Sequence, residues 1–212
     1  MHIPDGMLPP QVAIVGYAMS GGIMAWSLKQ IERSDRTQEQ IPKASLLTAA
    51  FFVSSSIHLP IPPASVHLVL NGLLGAILGY YAFPAIVIGL FFQAVMFQHG
   101  GLSTLGINAL LMGLPALLAG YIFRSRFAFG GRDRPWTGLF GFLSGSTAVG
   151  LSATMFLSVV LLTLPVDIDQ TLEQASLWGL MFAHIPLVIL EGLFTAMVVI
   201  FLERVKPELI NG

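Results

Sequence analysis

From Ala44 to Phe123 the chain carries no Asp, Glu, Lys or Arg. At about 20 residues per crossing, that run has the length of four membrane spans. Polar, Pro and Gly residues cut it at His58–His67, at Tyr80–Pro84 and at Gln98–Ser103. Pro removes a backbone donor and Gly tolerates a positive φ, so each cut can end a helix. One apolar stretch precedes the run and two follow it. The pattern predicts an all-α, single-domain bundle of seven transmembrane helices behind a polar N-terminal loop, 1–10. The spans are expected at roughly 11–28, 44–60, 66–82, 84–98, 104–123, 136–164 and 176–203.

The basic residues give this bundle a direction. Lys29, Arg33, Arg36 and Lys43 follow span one, Arg124, Arg126, Arg132 and Arg134 follow span five, and Arg204 and Lys206 follow span seven. In a seven-span chain all ten fall on one side, which the positive-inside rule makes the cytoplasm. The N-terminus is then expected outside and the C-terminus inside. Small residues at helical spacing, Gly16 with Ser20 and Ala50 with Ser54, would permit close helix contact, and the Ala50/Ser54 face is a candidate docking surface for a partner.

Composition narrows the function. Charged residues are 10% of the chain and hydrophobic ones 55%, against about 25% charged in soluble domains. With no Cys there is no thiolate metal site and no Cys nucleophile. A net charge of -1 without a basic cluster argues against nucleic acid. The opening MHIPDGMLPP lacks the basic, then apolar, order of a signal peptide, so Met1 itself is the expected mature N-terminus.

Four of the five histidines, His2, His58, His67 and His99, fall at outer ends of the predicted spans or in outer loops. Neutral imidazoles gathered at one face suit Zn, Cu, Ni and Co. His2 adds a chelate. The Met1 amine, the His2 amide nitrogen and the His2 Nδ1 can close two fused rings about one ion, three nitrogens nearly in a plane, as Ni(II) prefers. Deprotonating the amide makes affinity rise with pH. The fourth nitrogen can come from His58, from His67 or from His99.

Met1-His-Ile-Pro-Asp-Gly6, His67, Gly100-Gly-Leu-Ser-Thr-Leu-Gly-Ile-Asn108 and His184-Ile-Pro-Leu-Val-Ile-Leu-Glu-Gly192 together resemble the CbiM/NikM family. These are nickel- and cobalt-specific substrate-capture components of energy-coupling-factor transporters in prokaryotic cell membranes. The resemblance covers nearly the whole chain. It implies Met1, His2 and His67 as the metal ligands, with Asp5, Ser103 and Asn108 bracing the N-terminal loop. It implies Ni(II) or Co(II) as transported substrate and no organic cofactor. As partners it implies a transmembrane coupling subunit, cytoplasmic ATPase subunits and a small accessory membrane protein. Two departures stand out: His99 occupies a position that is commonly acidic, and Leu70-Asn71-Gly72 replaces a frequent Gly-Gly.

His184 and Glu191 lie seven residues apart on one face of span seven, about 10 Å along its axis. Ionisable residues inside a span are candidates for transit or coupling. Two rival functions remain. An intramembrane hydrolase would pair Ser144 or Ser146 with His184, but Phe142 stands where a Gly-x-Ser-Gly context needs Gly. A self-sufficient divalent-metal permease would line a path with His184, Glu191, Gln93 and Asn71. No Gly-x-x-x-x-Gly-Lys-Ser/Thr run is present, so the chain is expected to be a transporter component without its own ATPase site.

Overall fold

The computed structural model describes residues 2–34, 37–61, 64–129, 134–163 and 170–210. Among the described residues seven α-helices follow in order: α1 (Pro10–Glu32), α2 (Thr37–Ser54), α3 (Asn71–Leu78), α4 (Ala82–Phe97), α5 (Leu105–Ser125), α6 (Arg134–Thr163) and α7 (Gln170–Val205). Among the described residues five stretches are, by length and composition, long and apolar enough to cross a membrane: Pro10–Glu32, Asn71–Phe97, Leu105–Phe129, Pro135–Thr163 and Leu177–Val205. The molecule is a polytopic helical membrane protein. Its polarity is inverted accordingly. Ile14, Met19, Phe92, Met96, Leu193 and Met197 are exposed, while Asn71, Gln93, Asn108, Ser152 and Glu191 are buried. In lipid, apolar side chains face out and polar groups must find partners inside the bundle.

Two expected spans differ. The second was expected over 44–60, but α2 ends at Ser54. His58–Ile61 then pairs antiparallel with Ala64–His67 as strands β1 and β2, with His58 opposite His67. Pro60 lacks a backbone donor, and this short hairpin interrupts an otherwise helical bundle. The third, expected over 66–82, is helical only from Asn71. His67 therefore ends a strand and does not open a helix. On α2, Ala50 is exposed, but Ser54 is buried with its hydroxyl on the Phe51 carbonyl at 2.7 Å. The Ala50/Ser54 pair does not form the exposed face expected of it.

The short helix α3 fixes the site arm. Its residues track α5 in parallel: Asn71 donates to the Met112 carbonyl at 3.2 Å, Gly75 lies against Ala116, and Gly79 against Arg124. At Gly79, whose φ is 56°, the chain reverses, and α4 returns antiparallel with Phe83 against Gly113. Glu191 of α7 accepts N–H bonds just ahead of α3, and Lys43 donates to the Ile77 carbonyl at its other end at 3.3 Å. An acceptor ahead of a helix start and a donor at its end both satisfy backbone groups that the helix itself leaves unpaired. Lys43 also reaches the Leu209 carbonyl at 3.1 Å, and Arg126 the Ile210 carbonyl at 2.7 Å. These basic groups thus gather at the end of the bundle opposite the histidines.

Candidate metal-binding site

The N-terminal segment is plugged into the bundle. Ile3 is fully buried among Leu8, Ile107, Leu110, Leu111 and Leu157. The Asn108 side-chain amide accepts the Ile3 N–H at 2.9 Å and donates to the Ile3 carbonyl at 3.0 Å. Thr104 Oγ1 donates to the same carbonyl at 2.6 Å. Asp5 accepts the Ser103 N–H at 2.8 Å, the Ser103 hydroxyl at 2.5 Å and the Leu102 N–H at 3.2 Å. The Ser103 hydroxyl and amide hold its carboxyl below the ordinary value of 3.8. A Cβ at Gly101 would collide with the Asp5 carboxyl and amide, so the glycine lets the loop close. Ser103 and Asn108 thus both hold the N-terminal segment, Ser103 through Asp5 and Asn108 through Ile3.

This anchoring delivers His2 to two other imidazoles. The ring centroids are 5.1 Å apart for His2 and His67, 4.9 Å for His2 and His99, and 5.2 Å for His67 and His99. One nitrogen from each ring lies within 4.8 Å of the others, and His67 is buried. His99 arrives by a helix-ending turn. Gln98 takes a left-handed φ of 52°, and the His99 N–H returns to the Gln93 carbonyl at 3.1 Å. Left-handed residues of this kind commonly terminate helices.

The hydrogen bonds assign the ring nitrogens. Gln93 Nε2 donates to the Phe51 carbonyl at 3.2 Å, so its Oε1 is the acceptor facing His2. His2 Nε2 must then carry the proton in the 2.9 Å bond to Gln93. Its Nδ1 bears the lone pair, and this buried atom has no hydrogen-bond partner among the described residues. His67 takes the opposite tautomer: Nδ1 donates to the Leu68 carbonyl at 3.0 Å, which puts the lone pair on Nε2. Burial drives the His2 imidazole well below its ordinary 6.5, and neighbouring positive charge, including protonated His67 or His99, pushes the same way. A neutral ring is the form that binds metal.

Gln93 was weighed in the sequence only as a residue on a permease path. Its position as a lone amide in the apolar α4 was the available signal, since such an amide must find partners inside the bundle. Ile3, Gly101 and Thr104 lie inside the two stretches that carry the family resemblance, but no role followed for them from the sequence.

The other named residues fall elsewhere. Met1 lies outside the described residues. The backbone of His58 pairs with that of His67 in the hairpin, and its side chain is likewise outside the described set. His184 Nδ1 donates to the Leu180 carbonyl of its own helix at 2.8 Å, in an apolar setting of Phe156, Leu157, Leu177 and Met181. Glu191 is fully buried and faces Val69 and Leu70. The Ser144 hydroxyl donates to the Ala119 carbonyl at 3.0 Å and that of Ser146 to the Val188 carbonyl at 3.1 Å. These bonds serve helix packing, and none joins a serine to His184.

Comparison with known proteins gives the family. A family profile described as cobalt uptake substrate-specific transmembrane region matches residues 2–209. A putative metal transport protein of Haemophilus influenzae is 34% identical, with 100% of this chain and 97% of that protein aligned. A putative cobalt transport protein CbiM of Methanococcus voltae is 32% identical, over 99% and 94%. A putative fused nickel transport protein NikMN of Archaeoglobus fulgidus is 27% identical, over 100% of this chain and 68% of its own length. A crystal structure of a transition metal transporter superposes with a TM-score of 0.79 at 25% identity, covering 98% of this chain and 94% of that one. The chain belongs to the CbiM family of cobalt-uptake, substrate-specific transmembrane proteins.

Proposed function

We propose that this protein captures Ni(II) or Co(II) at the outer face of a prokaryotic cell membrane and releases it for ATP-driven uptake by an energy-coupling-factor transporter. The observation that carries the reading is the convergence of His2, His67 and His99, with the His2 Nδ1 lacking a hydrogen-bond partner among the described residues. Nδ1 is the ring nitrogen that a chelate through the Met1 amine and the His2 amide requires. His67 Nε2 supplies the fourth nitrogen. A planar nitrogen set favours Ni(II) over Co(II), while Cu(II) would bind tighter still, so metal supply takes part in the choice. Seven spans with the N-terminus outside fit the gathering of Lys43, Arg124 and Arg126 at the end remote from the histidines. Energy would come from partners: a transmembrane coupling subunit, cytoplasmic ATPase subunits and a small accessory membrane protein.

The test is nickel titration of the purified protein against a variant with one Gly added before Met1. The addition leaves every side chain in place and moves the amine out of the chelate. About one equivalent bound by the native chain and weak binding by the extended one is the expected result. Equal binding would remove the amine from the ligand set, and absence of binding in both would overturn capture by the chain alone.

A further inference from the structure

Between His67 and α3 the chain runs as a non-helical arm, His67-Leu68-Val69-Leu70, that enters the interior of the bundle and ends in a left-handed Leu70 with φ 55°. Val69 and Leu70 are 2% and 6% exposed, so their N–H groups cannot turn to water, and in a lipid-embedded bundle an unpaired N–H is costly. Glu191 takes both. Its Oε1 accepts the Val69 N–H, and the Leu70 N–H lies 3.1 Å from Oε1 and 3.2 Å from Oε2. Asn71 then ties the start of α3 to Ser152 Oγ at 2.9 Å and to the Met112 carbonyl.

The Leu68–Val69 peptide has two ends, and both are used. Its N–H points to Glu191, and its C=O accepts the His67 Nδ1 proton at 3.0 Å. We infer that Glu191 is a positioning residue for the metal-binding imidazole of His67, acting through the Leu68–Val69 peptide. This rests on reading His67 as a ligand. The carboxyl group fixes the peptide plane, and the plane aims its carbonyl at Nδ1. That bond keeps the proton on Nδ1 and the lone pair on Nε2. Metal-bound histidines commonly have the second ring nitrogen held by a carboxylate or carbonyl. Here a carbonyl does so while a carboxyl group holds the peptide behind it, and hydrogen bonds in such a chain strengthen one another. The buried acid of α7 therefore serves the metal site without touching metal.

The test reads the tautomer directly. In metal-free, ¹⁵N-histidine-labelled protein in lipid nanodiscs, the native chain should show His67 protonated at Nδ1, with His67→Gln used to assign the signal. Glu191→Leu should convert His67 to a mixture of tautomers and weaken nickel binding by roughly tenfold to a hundredfold, the range for lost outer partners of metal ligands. Glu191→Gln keeps an acceptor oxygen and should restore the native tautomer. A native His67 protonated at Nε2 overturns the inference, as does a Glu191→Leu protein whose His67 signals match the native ones. If Glu191→Leu does not fold, the native tautomer alone decides. Because it is measured without metal, this result is independent of whether the chain captures nickel.

Discussion

Asn108 pairs with Ile3 as one strand pairs with another, its amide oxygen on the Ile3 N–H at 2.9 Å and its amide nitrogen on the Ile3 carbonyl at 3.0 Å. The residue next to His2 is thereby held by two directional bonds and by the burial of its side chain. Removing either support should release the N-terminal segment while leaving the helices packed. Ile3→Ala deletes a fully buried side chain, a change that costs on the order of 2–5 kcal/mol in cores. Asn108→Leu strands the Ile3 N–H and leaves the Ile3 carbonyl with Thr104 alone. For both variants, amide exchange should show the Ile3 N–H losing protection while α5 and α6 keep theirs. Nickel binding should fall with it. Intact protection at Ile3 would mean that the segment is held by something else.

Gln93 serves two imidazoles at once, with its side chain on His2 and its main-chain carbonyl on the His99 N–H. Gln93→Leu keeps the helix and the carbonyl but removes the acceptor for the His2 Nε2 proton. His2 can then move its proton to Nδ1, the atom required for the chelate. Nickel affinity should drop roughly tenfold or more, as for other outer-partner substitutions at metal sites, with little change in melting temperature. Calorimetric titration beside a thermal scan separates the two effects.

The uncharged run and its Pro and Gly breaks made a polytopic helical membrane protein legible, because such a run has few ways to fold in lipid. The same pattern misread 58–70, where the chain is buried but not helical. There the backbone is satisfied by strand pairing and by Glu191, a residue more than 120 positions away, and no local pattern announces such a partner. The chelate read at His2 rested on particular atoms in a particular order, whereas His67 was one of three candidates until the family resemblance singled it out. Gln93 was not legible, since its role depends on the Phe51 carbonyl deciding which way its amide faces.

Docking of the N-terminal segment should depend on pH in two windows. Docked His2 resists protonation because burial and neighbouring positive charge lower its affinity for protons, whereas an undocked His titrates near its ordinary value of about 6.5. The undocked state therefore binds more protons below that value. Docking is full above about pH 6.5 and weakens as pH falls towards the lowered value of the docked ring. Asp5 acts lower: its lowered carboxyl value makes its brace full above about pH 3.9 and lost as pH falls through the lowered value. Protection factors of the Ile3 amide in metal-free protein should begin to decline just below pH 6.5. His2→Asn should abolish that first decline, and Asp5→Asn should leave it in place.

His99 tests how many imidazoles the ion uses. Its ring stacks on His2 at 22° and 4.9 Å. In the proposed chelate the His2 ring lies in the coordination plane, so His99 sits off that plane, on one face. Square-planar Ni(II) needs nothing there. Co(II) takes additional donors readily, and a turn of the His99 ring would supply one. His99→Ala should therefore leave nickel affinity within a few-fold and lower cobalt affinity roughly tenfold, shifting preference towards nickel. His99→Asp, which restores the acidic residue common at this position, should recover cobalt binding, since a carboxylate oxygen is also a competent axial donor. Competition titrations with both metals, read beside the d–d spectrum of the nickel form, measure these shifts. An unchanged planar nickel spectrum with reduced cobalt affinity supports four equatorial nitrogens and an optional fifth. An equal loss of both metals would place His99 in the equatorial set and displace one of the four nitrogens assigned to it.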